Sequence, residues 1–312
     1  MMPTSKSARS TLRTMQFCSV MAVLYIGLIF VLPVNHATMQ HYNLSALEYR
    51  IATAAIALPT IAVWFAAFWG YAKLREYSQA IAKTAEGPHF AKLGIGCIWL
   101  AWSLPLTSIV SSVLNGIGNR WQGFHPSAII ITNYVALIIP LIAFVIIGLA
   151  ARDMLGKSRL NLDIPTARLT MVLFLAGGLL YCFLVFRSLD LTSLGSTHNS
   201  YFLPAWLMIV SVIIPYLYAW CIGLLAAYEI MVFSVNTPGL LYRRALLYLV
   251  TGLVAVILSS IALQYINSVV PRNGELLLNY RLLLTLAVRV VSGIGFLTLA
   301  IGASRLKKIE EV

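Results

Sequence analysis

The sequence predicts an all-α, polytopic integral membrane protein: eight transmembrane helices built as two parallel four-helix repeats. Composition, the placement of basic residues and an internal repeat carry that prediction. Sixty per cent of the 312 residues are hydrophobic and 10% are charged, against about 45–50% and about 25% in soluble domains. A soluble chain of this composition has too little polar surface to cover itself. Apolar stretches recur near 15–34, 48–72, 93–115, 127–151, 169–188, 202–229, 245–269 and 282–303. Each is close to the ~20 residues that an α-helix needs to cross about 30 Å of hydrocarbon.

The net charge of +12 follows the same eight-span layout. With the N-terminus inside, Lys6, Arg9, Arg13, Lys73, Arg75, Lys83, Lys92, Arg152, Lys157, Arg159, Arg168, Arg243, Arg244, Arg305, Lys307 and Lys308 all fall on cytoplasmic segments. Every lysine is among them. The alternation satisfies the positive-inside rule, so both termini are expected in the cytoplasm of a cell that carries the protein in its plasma membrane. Nucleic-acid binding needs basic residues interleaved with exposed aromatics on a soluble face, and no such face exists; the lipid bilayer is the expected partner.

At an offset of 156, Thr14, Met15, Leu24, Tyr25, Phe30, Asn43, Pro59 and Trp64 match Thr170, Met171, Leu180, Tyr181, Phe186, Asn199, Pro215 and Trp220. At 152, Leu106, Ile109, Asn115 and Phe144 match Leu258, Ile261, Asn267 and Phe296. The change of four is expected in one polar loop, where length change is tolerated. Four spans per half is an even number, so the halves, residues 1–156 and 157–312, enter the membrane in the same direction. Repeats of that kind are a recurrent construction in transporters. The polar segment 152–168, RDMLGKSRLNLDIPTAR, is the expected hinge between them.

Taken in order, the first span follows a basic stretch, as in a signal peptide. Its apolar run is about 20 residues rather than 7–15, and residues 14–30 align with 170–186, so it is expected to be retained. In the second and sixth spans, Pro59 and Pro215 lie about a dozen residues in, near the midplane at about 1.5 Å per residue. A proline there frees a carbonyl and kinks the helix. Interrupted helices in corresponding places of two repeats point to a transport site; common descent of two membrane prolines is the plainer explanation.

In the third span, Ser108, Ser112 and Asn115 share one helix face, and Ser260, Gln264 and Asn267 occupy the aligned positions of the seventh. The two stripes either line a hydrophilic site or bond to neighbouring helices and carbonyls. Trp99, Trp102 and Pro105 make the same span unusual, as cavity lining or as core filling between the repeats. In the last span, Arg289 lies about eight residues in, beside Ser292, Gly293 and Gly295, and aligns with Leu137. A charge at that depth is a site hypothesis by default; an ion pair with Asp190 or Glu275 is the structural alternative.

Cys18, Cys97, Cys182 and Cys221 fall within spans and read as small packing residues. His36, His41, His125 and His198 fall on outer loops without metal-ligand spacing. Neither a metal site nor a cofactor is expected, and no HExxH, GxSxG or P-loop is present. The expected function is non-enzymatic: transport of a small, anionic solute between the repeats through Arg289, the two prolines and the two stripes. The alternative is a non-catalytic membrane sensor or scaffold subunit; a homo-oligomer or a membrane partner protein would serve either.

Overall fold

A computed structural model describes residues 5–34, 39–40, 43–120, 125–156, 214–237, 239–269 and 275–310. Among them are seven helices and no strand: α1 (Ser5–Val31), α2 (Ala46–Ala80), α3 (Gly87–Arg120), α4 (His125–Leu155), α5 (Ile214–Asn236), α6 (Leu240–Val269) and α7 (Glu275–Glu310). All seven contain a stretch long and apolar enough to cross a membrane. They coincide with seven of the eight expected spans; the expected span 169–188 lies outside the described residues. Large side chains that face away from the bundle are apolar, such as Val23 at 71% exposure and Leu283 at 62%. Hydrocarbon accommodates such a surface and water does not.

Local sequence sets the helix limits. Ser45 caps α2, accepting from the Glu48 amide, while its own amide donates to the Glu48 carboxylate at 2.8 Å. This reciprocal pair satisfies two of the amides that a helix start leaves open. α2 runs 35 residues, about 52 Å at 1.5 Å per residue, and so exceeds the ~30 Å hydrocarbon core. Its lysine-bearing end therefore extends beyond the apolar layer. α2, α3 and α4 continue through Pro59, Pro105 and Pro140 respectively, each of which leaves one carbonyl without its helical donor.

The helices pack as α3 on α4 and α6 on α7, with α2 joining α3 to α7 and α5 joining α6 to α4; α1 rests on α2 and α3. Close backbone approach governs the two principal pairs. A Cβ at Gly252 would lie 2.6 Å from the Gly295 carbonyl oxygen and 2.7 Å from the Leu299 amide. At Gly96 it would lie 3.1 Å from the Ala143 carbonyl oxygen and 2.4 Å from Ile147 Cγ1. Small residues allow this proximity, which van der Waals packing in lipid requires.

Trp102 fills an aromatic cluster, its ring 4.8 Å from Phe17 and 5.9 Å from Phe68, whereas Trp99 is 40% exposed. Trp102 thus packs, part-buried, against aromatics of residues 1–156 rather than between the halves, and Trp99 faces outward. Cys18 and Cys97 are buried and free, and Cys221 is free and half-buried.

Gly252→Ala is expected to lower stability by about 1–3 kcal/mol, the usual range for overpacking. Nothing lies within 4 Å of a Cβ added at Gly27, so Gly27→Ala should leave stability within about 0.5 kcal/mol. Thermal unfolding of the two variants in detergent checks the contrast.

Candidate functional site

Hydroxyl side chains recur along α3 in two adjacent rows: Ser103, Thr107 and Ser111, then Ser108 and Ser112. Spacing of three or four residues keeps these rows on one face of the helix. That face turns into a cavity of 420 Å³, which Ser259 and Ser260 of α6, Arg289 and Ser292 of α7, Tyr25 of α1 and Thr60 of α2 also line. The volume falls in the range typical of small-molecule sites, about 300–1,000 Å³. Leu100, Phe144, Val256 and Phe296 are the lining residues nearest the lysine-bearing end on their respective helices, and they form its floor. Phe296 precedes Lys307 by eleven residues on α7, about 16 Å of rise. The floor therefore sits at mid-membrane depth, with the cavity extending from it toward the lysine-poor end.

Four of the sequence-predicted site residues, Ser108, Ser112, Ser260 and Arg289, meet on this cavity. Pro59 lies within α2 and is not part of the lining, although its neighbour Thr60 is. Pro215 belongs to α5, Asn115 to α3, and Gln264 and Asn267 to α6, but their side chains lie outside the described residues. Ser103, Thr107, Ser111, Ser259, Tyr25 and Thr60 were not among the predicted residues. Extending the Ser108–Ser112 stripe by one adjacent row would have reached three of them; Tyr25 and Thr60 come from other helices and left no such signal.

Among the described residues, Arg289 is the only cation in the lining and no carboxylate accompanies it. Its Nε is shielded from solvent and has no hydrogen-bond partner among the described residues. Of the two partners suggested by sequence, Asp190 lies outside the described residues. Glu275 starts the same helix, fourteen residues away. About 21 Å of helical rise separates the two, which is beyond the combined reach of both side chains.

Several lining hydroxyls already have partners. Ser103 donates to the Leu100 carbonyl at 2.7 Å, Ser108 to that of Leu104 at 3.0 Å, and Ser259 to that of Val256 at 2.8 Å. A serine hydroxyl has one proton and two lone pairs. These three therefore present acceptors to the cavity. Nearby, Trp220 Nε1 donates to Ser260 Oγ at 3.4 Å, whereas Trp64 Nε1 is buried with no partner among the described residues.

The lysine-bearing end is tied by polar contacts between helices. Glu76 of α2 accepts from Thr11 of α1 and pairs with Lys73 at 3.2 Å and Lys307 of α7 at 3.3 Å. Tyr242 of α6 donates to Glu86, in the α2–α3 connection, at 2.8 Å, and its hydroxyl lies 3.0 Å from that of Tyr77. Lys92 of α3 pairs with Asp153 of α4. Among the described residues no three histidine, cysteine or carboxylate side chains cluster as metal ligands. Neither a protein-family model, nor a curated protein, nor a solved structure matches the chain.

Arg289 is half-buried as a whole, with its Nε shielded and without a partner among the described residues. A guanidinium so placed gives folding no ion-pair support, whereas half of a buried ion pair does. Arg289→Met should therefore leave the melting temperature in detergent unchanged or higher. A loss of about 3 kcal/mol, typical of a broken buried pair, would instead reveal a structural counter-ion.

Proposed function

We propose that this chain is a membrane transport protein that carries a small, anionic solute through a cavity between two four-helix repeats, residues 1–156 and 157–312. The observation that carries the reading is a 420 Å³ cavity at membrane depth with Arg289 in its wall. A sensor or scaffold subunit, the rival reading, has no need of such a cavity and would bury a filled interior. Catalysis is no part of the proposal.

The packing supports the repeat. Exchanging the halves converts α3–α4 into α6–α7, α2–α7 into α5–α4, and α2–α3 into α5–α6, and each of these pairs is in contact. Gly96 against Ala143 and Ile147 corresponds to Gly252 against Gly295 and Leu299. The offset is 156 on α3 and α6 but 152 on α4 and α7. Burial follows the same rule: positions 90, 93, 94, 96, 97, 100, 101 and 103 are buried, as are the positions 156 residues later. This register differs from the sequence alignment of the two stripes by one turn. It pairs Ser103 with Ser259 and Leu104 with Ser260, and it puts the change of four in the α3–α4 connection. It also fits the two tryptophans: Trp220 donates to Ser260, whereas Trp64 Nε1, whose counterpart position in this register carries Leu104, is buried with no partner among the described residues.

The cavity lining obeys the same exchange. Leu100, Ser103, Leu104 and Thr107 correspond to Val256, Ser259, Ser260 and Leu263, and Pro140 and Phe144 to Ser292 and Phe296; all twelve line it. This supports a site on the axis between repeats, the usual location in transporters. Arg289, opposite Leu137 in the exchange, breaks the symmetry and selects charge. Asn115, Gln264, Asn267, Pro59 and Pro215 belong to the proposed site by their place in the sequence. The floor of Leu100, Phe144, Val256 and Phe296, together with the Glu76 and Tyr242 ties, shuts the lysine-bearing end in this state. Transport requires those ties to part while the opposite end closes. By the positive-inside rule the closed end is the cytoplasmic one, with both termini on that side of the cell membrane.

Thiol accessibility tests this. With Cys18, Cys97, Cys182 and Cys221 replaced by alanine, Ser112→Cys in proteoliposomes should react with a membrane-impermeant thiol reagent from one side only. Adding Glu76→Gln and Tyr242→Phe should raise the rate from the other side by about tenfold, the effect of weakening the closed state by about 1.4 kcal/mol. A Ser112→Cys thiol inert from both sides would overturn the transport reading.

A further inference from the structure

We infer that the cavity is built for a small organic acid that also carries hydroxyl groups. The inference rests on the solute-site reading above and narrows it from an anion to a chemical class. Its basis is the division of hydrogen-bonding capacity in the lining. Arg289 supplies only donors, and among the described lining residues no carboxylate neutralises it. The planar guanidinium fork matches a carboxylate with two parallel hydrogen bonds, and its Nε has no partner within the described protein. One end of the ligand is thereby assigned.

Three of the ten lining hydroxyls ask for something different. Ser103 and Ser259, equivalent in the packing of the two halves, both commit their protons to carbonyls of their own helices, and Ser108 does the same. What they offer is lone pairs. An anion made only of acceptors, such as a halide, leaves these oxygens unmatched, and an unmet polar group at membrane depth is costly. A ligand with donors satisfies them. An ammonium donor would enter without a counter-charge, because Arg289 is the only ionised group among the described lining residues; a hydroxyl enters without that penalty. The lining runs from Leu100 to Ser112 on α3, about 18 Å of rise, which suits an extended carbon chain better than a compact inorganic anion. Phe144, Phe296 and Leu104 supply apolar contact for that chain.

Isothermal titration calorimetry on the full-length protein in nanodiscs tests the inference with five probes: gluconate, hexanoate, mannitol, norleucine and inorganic phosphate. Gluconate should bind at least about tenfold more tightly than hexanoate, with mannitol, norleucine and phosphate weaker than both. That gap corresponds to one or two net hydrogen bonds. The double variant Ser103→Ala, Ser259→Ala should narrow the gap between gluconate and hexanoate without weakening hexanoate. Arg289→Met should weaken both acids by about a hundredfold, as expected for losing hydrogen bonds to a charged group, with thermal unfolding as the check that it folds. Equal affinity for gluconate and hexanoate would overturn the hydroxyl assignment while leaving an acid site in place. Tightest binding of mannitol, norleucine or phosphate would overturn the class. No binding by any probe would overturn this inference, and unchanged thiol accessibility at Ser112→Cys would then show that the cavity reading itself survives.

Discussion

Just below the cavity floor, the backbones of α6 and α7 come so close at Gly252 and Gly295 that one added methyl group would collide. α3 and α4 do the same at Gly96 and Ala143. Lipid tails are as apolar as leucine, so burial in a membrane supplies little drive for helices to associate; contact at such points supplies it. Helices that cross closely at one level separate at others, because their axes meet at an angle. The separation begins about one turn past the glycines, at Leu100 and Val256, where the lining starts. The cavity thus lies beyond the level at which both helix pairs make backbone contact.

Polar chemistry in that cavity is constrained by the helices that carry it. The helical backbone satisfies itself, so a hydroxyl at depth turns to the nearest available carbonyl, as Ser103, Ser108 and Ser259 do. Such bonds cost little and convert each serine into an acceptor. Arg289 carries only donors, which backbone carbonyls or an anion can accept. Its Nε remains without a partner among the described residues. A fold optimised for stability alone would replace it, and its retention beside ten hydroxyl-bearing lining residues gives the site its polarity.

The lysine-bearing end is held by different forces. Glu76 joins α1, α2 and α7, and Tyr242 joins α6 to α2 and the α2–α3 connection. Glu76 and Tyr77 are buried, while the lysines that pair with Glu76 stay partly exposed. Together these contacts span helices from both ends of the chain. In the proposed cycle that combination suits a closure that must both hold and release.

The membrane environment, the helical class and seven of the observed spans were legible because each depends on local composition: about 20 apolar residues must be a helix in hydrocarbon, whatever their neighbours. Arg289, Ser108, Ser112 and Ser260 were legible for a similar reason, since a polar residue in an apolar run stands out. Within the proposed repeat, the register between α3 and α6 was not. A slip of four residues is close to one helical turn of 3.6, so Ser108 over Ser260 and Leu104 over Ser260 present nearly the same face and nearly the same pattern. The contacts of Gly96 with Ala143 and of Gly252 with Gly295, with the burial pattern and the cavity lining, favour the second. The convergence of Tyr25 and Thr60 on the same cavity, the aromatic packing of Trp102 and the separation of Arg289 from Glu275 likewise depend on distances between or along helices, which residue identity does not encode and packing does.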